Sequence, residues 1–238
     1  MGYSSGFKIR TGSDEILSIK DRYGIENMLL FSFDQNISKT NMKIIELSKQ
    51  HNGIYPLYWI QKSRIEEDYA VLEKELNNGC RGVKFHGVFE KRPVSDPAYA
   101  PVLELLNNSE SILLVHCGRY KEGMRESNTS YYHVLDMAQK YPKIKVILAH
   151  MGGADSTVIK RCLHDSQAFR NVYYDTSGIT TPFIVEHALN MVDKEKILFG
   201  SDSPWCSFRS RYYNIEDANI TKETKQLILH DNFVKLIK

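Results

Sequence analysis

Residues 112–118 read Ile-Leu-Leu-Val-His-Cys-Gly, a short apolar run that ends in a histidine and a glycine. The same form occurs on both sides of it, as Gly82–His86 (GVKFH) and as Lys145–His150 (KVILAH). Short runs that are almost entirely apolar are typical of strands buried on both faces of a parallel sheet. The sequence therefore predicts parallel strands whose carboxyl ends carry histidines.

Four further apolar runs, separated by helical patterns, complete an alternation of strands and helices. The additional strands are predicted at Asn27–Phe33, Ile54–Ile60, Val172–Asp175 and Ile197–Asp202. From His86 onward the strand ends lie about 30 residues apart, close to the repeat of a (β/α)8 barrel of ~250 residues. The chain has 238 residues and no visible linker, so we expect one α/β domain over residues 1–238, a (β/α)8 TIM barrel. A doubly wound open sheet is the alternative, although no Gly-x-Gly-x-x-Gly follows any strand.

The beginning of the sequence departs from a complete barrel. Only about 26 residues precede the first predicted strand, and they read as a loop and a helix, whereas a full barrel needs one more strand there. We therefore expect a barrel whose first strand is missing or distorted. Strand edges left without a neighbour favour association, so we also expect a homo-oligomer.

The composition excludes several classes of protein. Lys and Arg number 31 and Asp and Glu 29, a formal net charge of +2, which predicts neither nucleic acid nor an anionic membrane as partner. No apolar run approaches the ~18 residues of a membrane helix, and the first residues lack the apolar core of a secretory signal. The four cysteines form no Cys-x-x-Cys pair, so we interpret them as free thiols in a reducing cytoplasm.

The predicted strand ends concentrate titratable side chains. His86, His116, His150, Asp175 and Asp202 each close a strand, and the active sites of parallel barrels lie at the carboxyl ends of the strands. Imidazoles with a carboxylate suit a divalent metal such as Zn²⁺, which activates water when one coordination position stays open. The pattern therefore predicts a metal-dependent active site at this edge of the sheet.

The alternation of side chains along each strand refines this prediction. Lys84 shares a strand face with His86, and Asp202 shares one with Gly200, so inward faces would bring the polar ends to the barrel axis. Arg119 follows the strand of residues 112–116 and could hold a substrate carboxylate with two hydrogen bonds. The alternative for Arg119 is a charge in a solvated loop.

These segments resemble the amidohydrolase superfamily, in particular its amidohydrolase 2 branch of metal-dependent hydrolases and decarboxylases. The likeness runs from about residue 13 to residue 238. The matching motifs are Gly82–His86, Leu114–Gly118, Leu148–Gly153, Tyr173–Gly178, Leu198–Pro204 and Asp231–Phe233.

The resemblance implies a role for individual residues. His116 and Asp202 become metal ligands, and Asp202 also acts as base toward the metal-bound water. His150 polarises the substrate carbonyl or shuttles a proton. The remaining candidates are expected beside the substrate or behind the ligands: Lys84, His86, Asp175 and Arg119.

One motif of the branch has no counterpart in this sequence. Its members open with an apolar strand that ends in His-x-His and supplies two metal ligands, whereas the first histidine here is His51. Two interpretations stay open, a chain that starts at an internal methionine and a member that has lost half of its metal site. In either case we expect a divalent metal, Zn²⁺ by preference, to bind weakly or not at all.

Three functions remain open on the sequence. The first is metal-dependent hydrolysis of a small carbonyl, ester, lactone or amide, with non-oxidative decarboxylation as the alternative within the same branch. The second is a catalytically degenerate barrel that keeps a ligand pocket or an oligomer interface. The third, a deoxyribonuclease of the related TatD type, needs an acidic ligand where this chain has Lys84 and His86. The expected partner is a small molecule, with a carboxylate as one option.

Overall fold

The computed structural model describes residues 1–4, 9–33, 36–118, 126–153, 155–180 and 183–238. Backbone proximity divides the chain into two units, Met1–Lys84 and Phe85–Lys238. The single domain expected from the sequence stays a prediction. No helix within the described ranges is both long enough and apolar enough to span a membrane.

The first unit combines a short hairpin with parallel strands and helices. The hairpin pairs Gly2–Ser4 (β1) antiparallel with Ile9–Thr11 (β2). The parallel strands, paired in chain order, are Met28–Leu30 (β3), Ile54–Trp59 (β4) and Gly82–Phe85 (β5), whose last residue belongs to the second unit. The helices that precede these strands are Ser13–Arg22 (α1), Ile37–Gln50 (α2) and Ile65–Leu76 (α3).

The hairpin corrects the expectation that only a loop and a helix precede the first parallel strand. Strands of three residues are too short to show an alternation of apolar and polar residues, which is the usual sign of a strand in sequence. Among the described residues the parallel ladder begins at β3, as expected for a barrel without its first strand. Met1 lies beside the chain that follows β3, since Phe33 N donates to Met1 O at 3.1 Å.

The second unit continues the alternation of parallel strands and helices. Its strands, again paired in chain order, are Ile112–Val115 (β6), Lys145–Leu148 (β7), Val172–Asp175 (β8) and Ile197–Leu198 (β9). Its first four α-helices along the chain are Gly87–Glu90 (α4), Ala100–Asn108 (α5), Tyr131–Lys140 (α6) and Ser156–Asp165 (α7). Ile184–Leu189 (α8), Phe208–Glu216 (α9), Lys222–Gln226 (α10) and Asn232–Leu236 (α11) follow, with a π-helix at Leu227–Asp231.

The sequence explains why these elements form where they do. All residues of β6 are buried, as its unbroken apolar composition requires in a parallel sheet covered on both faces. Asp155 begins α7 by accepting hydrogen bonds from the backbone nitrogens of Thr157 and Val158, which would otherwise lack partners in the first turn. The structure thus confirms the predicted α/β class and the parallel order of the strands, while closure into a barrel stays a prediction.

The strand register places four carboxyl ends at one edge of the second unit. Val115 of β6 lies opposite Leu148 of β7, and Asp175 of β8 lies opposite Leu198 of β9. The residues that directly follow these strands therefore emerge side by side. This is the edge at which parallel α/β proteins build their sites.

The C-terminal segment fastens the short strand β9. Phe199 N donates to Ile228 O of the π-helix at 2.9 Å. The Asn232 side-chain amide donates to the carbonyl oxygens of Lys194 and Ile197, at 2.8 Å each. A strand of two residues is therefore held by backbone and amide contacts with the C-terminal helices.

Candidate active site

Three of the predicted site residues form one cluster of imidazole rings. His86 and His116 stack, with ring centroids 3.8 Å apart and an interplanar angle of 11°. His116 and His150 meet edge to face at 4.9 Å, and His150 Nε2 lies 3.2 Å from His116 Nδ1. The structure thus brings together the histidines that follow β5, β6 and β7.

His86 and His116 reach this cluster as direct continuations of their strands. His86 keeps an extended backbone, with φ −141° and ψ 97°, before α4 begins. His116 N donates to Phe85 O at 2.9 Å. Their placement follows the simple alternation on which the sequence analysis relied.

His150 reaches the cluster by a different path. It was expected to close β7 as a strand residue, but β7 ends at Leu148, and His150 lies in a 3₁₀ turn over Ala149–Gly152. His150 and Met151 have φ values of 58° and 49°, in the left-handed region that costs an ordinary residue ~1–2 kcal/mol. His150 lies beside His116, whereas the strand conformation expected for it was wrong.

Asp175 organises the loop that follows β8. Its side chain is buried, with the residue 9% exposed, and its Oδ1 accepts hydrogen bonds from three donors. These donors are His150 N at 3.0 Å, Ser177 N at 2.9 Å and Ser177 Oγ at 2.5 Å. A buried carboxylate requires such donors, and here they fix the left-handed turn of His150 against the loop.

Ser177 is a site residue that the sequence analysis did not single out. Its carbonyl oxygen and its Oγ lie 3.0 Å and 2.9 Å from His150 Nδ1. The available signal was its place two residues after Asp175, within the motif Tyr173–Gly178 that carries the resemblance. Nothing in that spacing alone indicates that the loop turns back toward His150.

Two glycines allow the backbone to approach the imidazoles closely. A Cβ on Gly178, whose φ is +66°, would stand 2.7 Å from His150 Nδ1. A Cβ on Gly118 would stand 2.7 Å from His116 Nε2. Side chains at either position would displace an imidazole ring, so both glycines are needed for this arrangement.

Asp202 lies in a turn and not at the end of a strand. Strand β9 ends at Leu198, and Asp202 has a φ of 51°, so the expected shared face with Gly200 was wrong. Cys206 N donates to Asp202 O at 3.0 Å, and Cys206 Sγ lies 4.0 Å from Asp202 Oδ2. Burial, followed by the charge of Asp202, raises the pKa of the Cys206 thiol, which the backbone of Gly178 opposes.

Gly178 thus lies against the imidazole ring of His150. The meeting of Asp202 with His116 and His150 in a single cleft stays a prediction. All four cysteines are free, and Cys117, which follows His116, is buried.

The two remaining candidates are Lys84 and Arg119. Lys84 is 4% exposed in the first unit, with Nζ 5.0 Å from the centroid of the Phe31 ring. Arg119 lies outside the residues that the structure describes. The roles of both residues at a substrate stay predictions.

A metal ion needs several donor atoms placed close together. In the described ranges no three His, Cys, Asp or Glu side chains are placed to hold a metal ion. A zinc site takes three or four protein ligands, and the resemblance supplies only His116 and Asp202. The described residues by themselves therefore do not make up such a site.

The chain resembles proteins of known structure and matches one family model. No curated protein matches the sequence. Among solved structures, one described as amidohydrolase II has a TM-score of 0.77 at 19% identity, covering 96% of this chain and 89% of its own. The 2,6-dihydroxybenzoate decarboxylase from Rhizobium has a TM-score of 0.75 at 16% identity, covering 95% of this chain and 88% of its own.

A third structure is the dihydroxybenzoic acid decarboxylase from Polaromonas sp. JS666, with bound manganese and the inhibitor 2-nitroresorcinol. It has a TM-score of 0.74 at 17% identity and covers 95% of this chain and 86% of its own. At such identities the likeness shows a shared fold. A family model described as amidohydrolase matches residues 42–237, which is most of the sequence. The chain therefore belongs to the amidohydrolase 2 branch of the amidohydrolase superfamily.

Proposed function

We propose that this protein is a non-oxidative decarboxylase of small aromatic carboxylates. The observation that carries the proposal is the contact of His150 Nε2 with His116 Nδ1 at 3.2 Å, beside the stacked ring of His86. Such a cluster is suited to carry a proton, and decarboxylation needs a proton delivered to carbon. The dihydroxybenzoate decarboxylases that share the fold support this reaction over the hydrolysis expected first from the sequence.

The reaction replaces a carboxylate by hydrogen. A proton adds to the ring carbon that carries the carboxylate, the bond between that carbon and the carboxylate breaks, and its electron pair restores the aromatic ring. Carbon dioxide leaves, and the arene keeps the proton. The protein must therefore supply one proton at a defined carbon and hold the carboxylate out of the ring plane.

His150 is the residue proposed to carry this proton. Imidazole gains and loses a proton near neutral pH, which suits it to general acid catalysis. Its Nδ1 faces the carbonyl oxygen and the hydroxyl of Ser177, so Nε2 is the nitrogen proposed to exchange a proton with the substrate. Arg119 is the proposed partner of the substrate carboxylate, from its place in the sequence three residues after His116.

An aromatic substrate is supported by the surroundings of His86. Phe89 contacts the His86 ring edge to face, with centroids 4.6 Å apart, and Phe89 is 66% exposed. Aromatic rings attract one another in offset and edge-to-face geometries. An exposed ring beside the imidazole cluster thus favours an aromatic acid over an aliphatic one.

A divalent cation, Zn²⁺ or Mn²⁺, belongs to the proposal as a cofactor that stabilises negative charge on a bound substrate. His116 and Asp202 are the residues proposed to hold it, together with ligands that the described residues do not supply. The homo-oligomer and the cytoplasmic location expected from the sequence stay predictions.

The proposal is tested by incubating the protein in D₂O with 2,6-dihydroxybenzoate, with Mn²⁺ and with Zn²⁺. We expect equal amounts of CO₂ and arene, with deuterium at the carbon that lost the carboxylate, measured by mass spectrometry. The variant His150→Ala should lose this activity. The control His164→Ala, at a histidine whose side chain is 75% exposed, should keep it.

A parallel panel of aryl esters, lactones and amides separates the alternatives. Cleavage of these compounds without CO₂ release from the benzoate would contradict the proposal and support a metal-dependent hydrolase. Absence of both reactions, in protein that is folded by circular dichroism, would support the catalytically degenerate barrel.

A further inference from the structure

The loop after β8 places Ser177 between a carboxylate and an imidazole. Ser177 Oγ lies 2.5 Å from Asp175 Oδ1 and 2.9 Å from His150 Nδ1, and the Ser177 carbonyl oxygen lies 3.0 Å from the same Nδ1. Ser177 and His150 are 4% and 6% exposed. These hydrogen bonds are therefore made away from solvent, where they are stronger than in water.

The direction of each hydrogen bond follows from the atoms involved. Asp175 Oδ1 already accepts from the backbone nitrogens of His150 and Ser177, so it also accepts the proton of the Ser177 hydroxyl. The lone pairs of Ser177 Oγ then face His150, as do those of the Ser177 carbonyl oxygen. Since both neighbours of His150 Nδ1 are acceptors, Nδ1 must carry the proton.

The same reasoning extends to the next ring. A neutral imidazole has a single N–H, so His150 with a proton on Nδ1 accepts at Nε2. His116 Nδ1 lies 3.2 Å from that nitrogen and is therefore the donor. The lone pair of His116 is then on Nε2, the atom beside Gly118.

We propose that Ser177 is a positioning residue that fixes the proton of His150 on Nδ1 and, through His150, the proton of His116 on Nδ1. Asp175 acts in turn on Ser177 by holding its hydroxyl hydrogen. In water the neutral histidine side chain prefers the proton on Nε2. The opposite tautomer at His150 therefore requires acceptors held beside Nδ1, and Ser177 supplies them. The pair therefore presents a lone pair at His116 Nε2.

The value of this pattern for catalysis rests on the proposed function. With Nδ1 of His150 committed to Ser177, the proposed proton exchange with a substrate is left to Nε2, which must first release its hydrogen bond from His116. The pattern itself requires no substrate, so it can be observed whether or not the protein is a decarboxylase. A correct pattern without decarboxylation would contradict the proposed function alone.

The test is a long-range ¹H–¹⁵N correlation spectrum of protein with ¹⁵N-labelled histidine, in which protonated and unprotonated ring nitrogens resonate at different frequencies. We expect His116 and His150, assigned through His116→Ala and His150→Gln, to show protonated Nδ1 and unprotonated Nε2. His150→Gln should also preserve the His116 pattern, because an amide oxygen can accept in place of Nε2. A proton on Nε2 of either ring in the unmodified protein would overturn the proposal.

The variant Ser177→Ala removes the hydroxyl and leaves the backbone acceptor in place. We expect part of both rings to change together to the Nε2-protonated form, because His116 must follow His150. Ser177→Thr, which restores a hydroxyl, should return the original pattern. An unchanged pattern in Ser177→Ala would overturn the role of the hydroxyl.

The matched control is Ser166→Ala. Ser166 is fully buried in the same unit, but its Oγ contacts Tyr174 and Cys162 and none of the imidazoles. This variant should leave both histidine patterns unchanged. A change as large as that in Ser177→Ala would show a general loosening of the unit and would contradict a specific role for Ser177.

Discussion

The segments around the carboxyl ends of β8 and β9 each contain a carboxylate, and they hold it in different ways. At the end of β8, Asp175 is buried and receives three hydrogen bonds on one oxygen. After β9, Asp202 is partly exposed, and its turn is fixed through its backbone, by Cys206 N on Asp202 O. The first carboxylate organises the protein around it, whereas the second lies in a turn and is partly exposed to solvent.

The largest loss of stability is expected when the hydrogen bonds that organise the loop after β8 are removed. Asp175→Ala removes the acceptor of two backbone nitrogens and one hydroxyl, and we expect the free energy of unfolding to fall by about 3 kcal/mol. The control Asp155→Ala, at an exposed helix cap, should cost about 1 kcal/mol. Urea unfolding followed by circular dichroism measures both, and equal losses would contradict the organising role of Asp175.

A smaller effect is expected from Gly178→Ala, which places a Cβ against His150. Any side chain at a φ of +66° is strained by about 1 kcal/mol, and here the Cβ also meets His150 Nδ1 at 2.7 Å. Gly24→Ala is the matched control, because Gly24 has a φ of +60° and nothing within 4 Å of the added carbon. We expect Gly178→Ala to lower the urea midpoint more than Gly24→Ala. Identical midpoints would show that the imidazole of His150 moves away from the added Cβ at no measurable cost.

The loop after β9 should tolerate a change that removes only charge. Asp202→Asn keeps a side chain that accepts a φ of 51°, so we expect the free energy of unfolding to change by no more than about 0.5 kcal/mol. In protein that decarboxylates, the same variant should abolish CO₂ release. A loss of stability close to that of Asp175→Ala would remove the contrast between the two loops.

The smallest effect concerns binding of a divalent metal. Equilibrium dialysis with Mn²⁺ or Zn²⁺ should show weak retention, because His116 and Asp202 are too few ligands for a closed site. What is retained should fall in His116→Ala and in Asp202→Asn, and stay unchanged in His164→Ala. Tight stoichiometric retention that both variants abolish would contradict this prediction. It would show that His116 and Asp202 belong to one metal site.

The sequence predicted the strands of this fold better than it predicted their ends. Strands β6, β7 and β8 lie within the apolar runs, because burial on both faces of a parallel sheet requires such runs. Strand β9 was expected to continue to Asp202 but ends at Leu198. Its next residue, Phe199, bonds to Ile228 of the π-helix, and a partner 29 positions away leaves no mark on local periodicity.

Prediction of the candidate site was limited in the same way, by contacts between residues that are distant in sequence. The histidines were recognised because residues after parallel strands meet at one edge, which holds for His86 and His116. The left-handed turn of His150 and the return of Ser177 toward it depend on the buried carboxylate of Asp175. Hydrogen bonds of this kind join loops that follow different strands, and no pattern of apolar residues records them.

The fastening of β9 by the C-terminal helices has a consequence for synthesis on the ribosome. Asn232 bonds to Ile197, which precedes it by 35 residues, so the amide that secures β9 is made after the strand itself. At roughly 5–20 residues per second that delay is about 2–7 s. During this interval a nascent chain already contains His116, His150 and Asp175, while β9 still lacks the amide of Asn232.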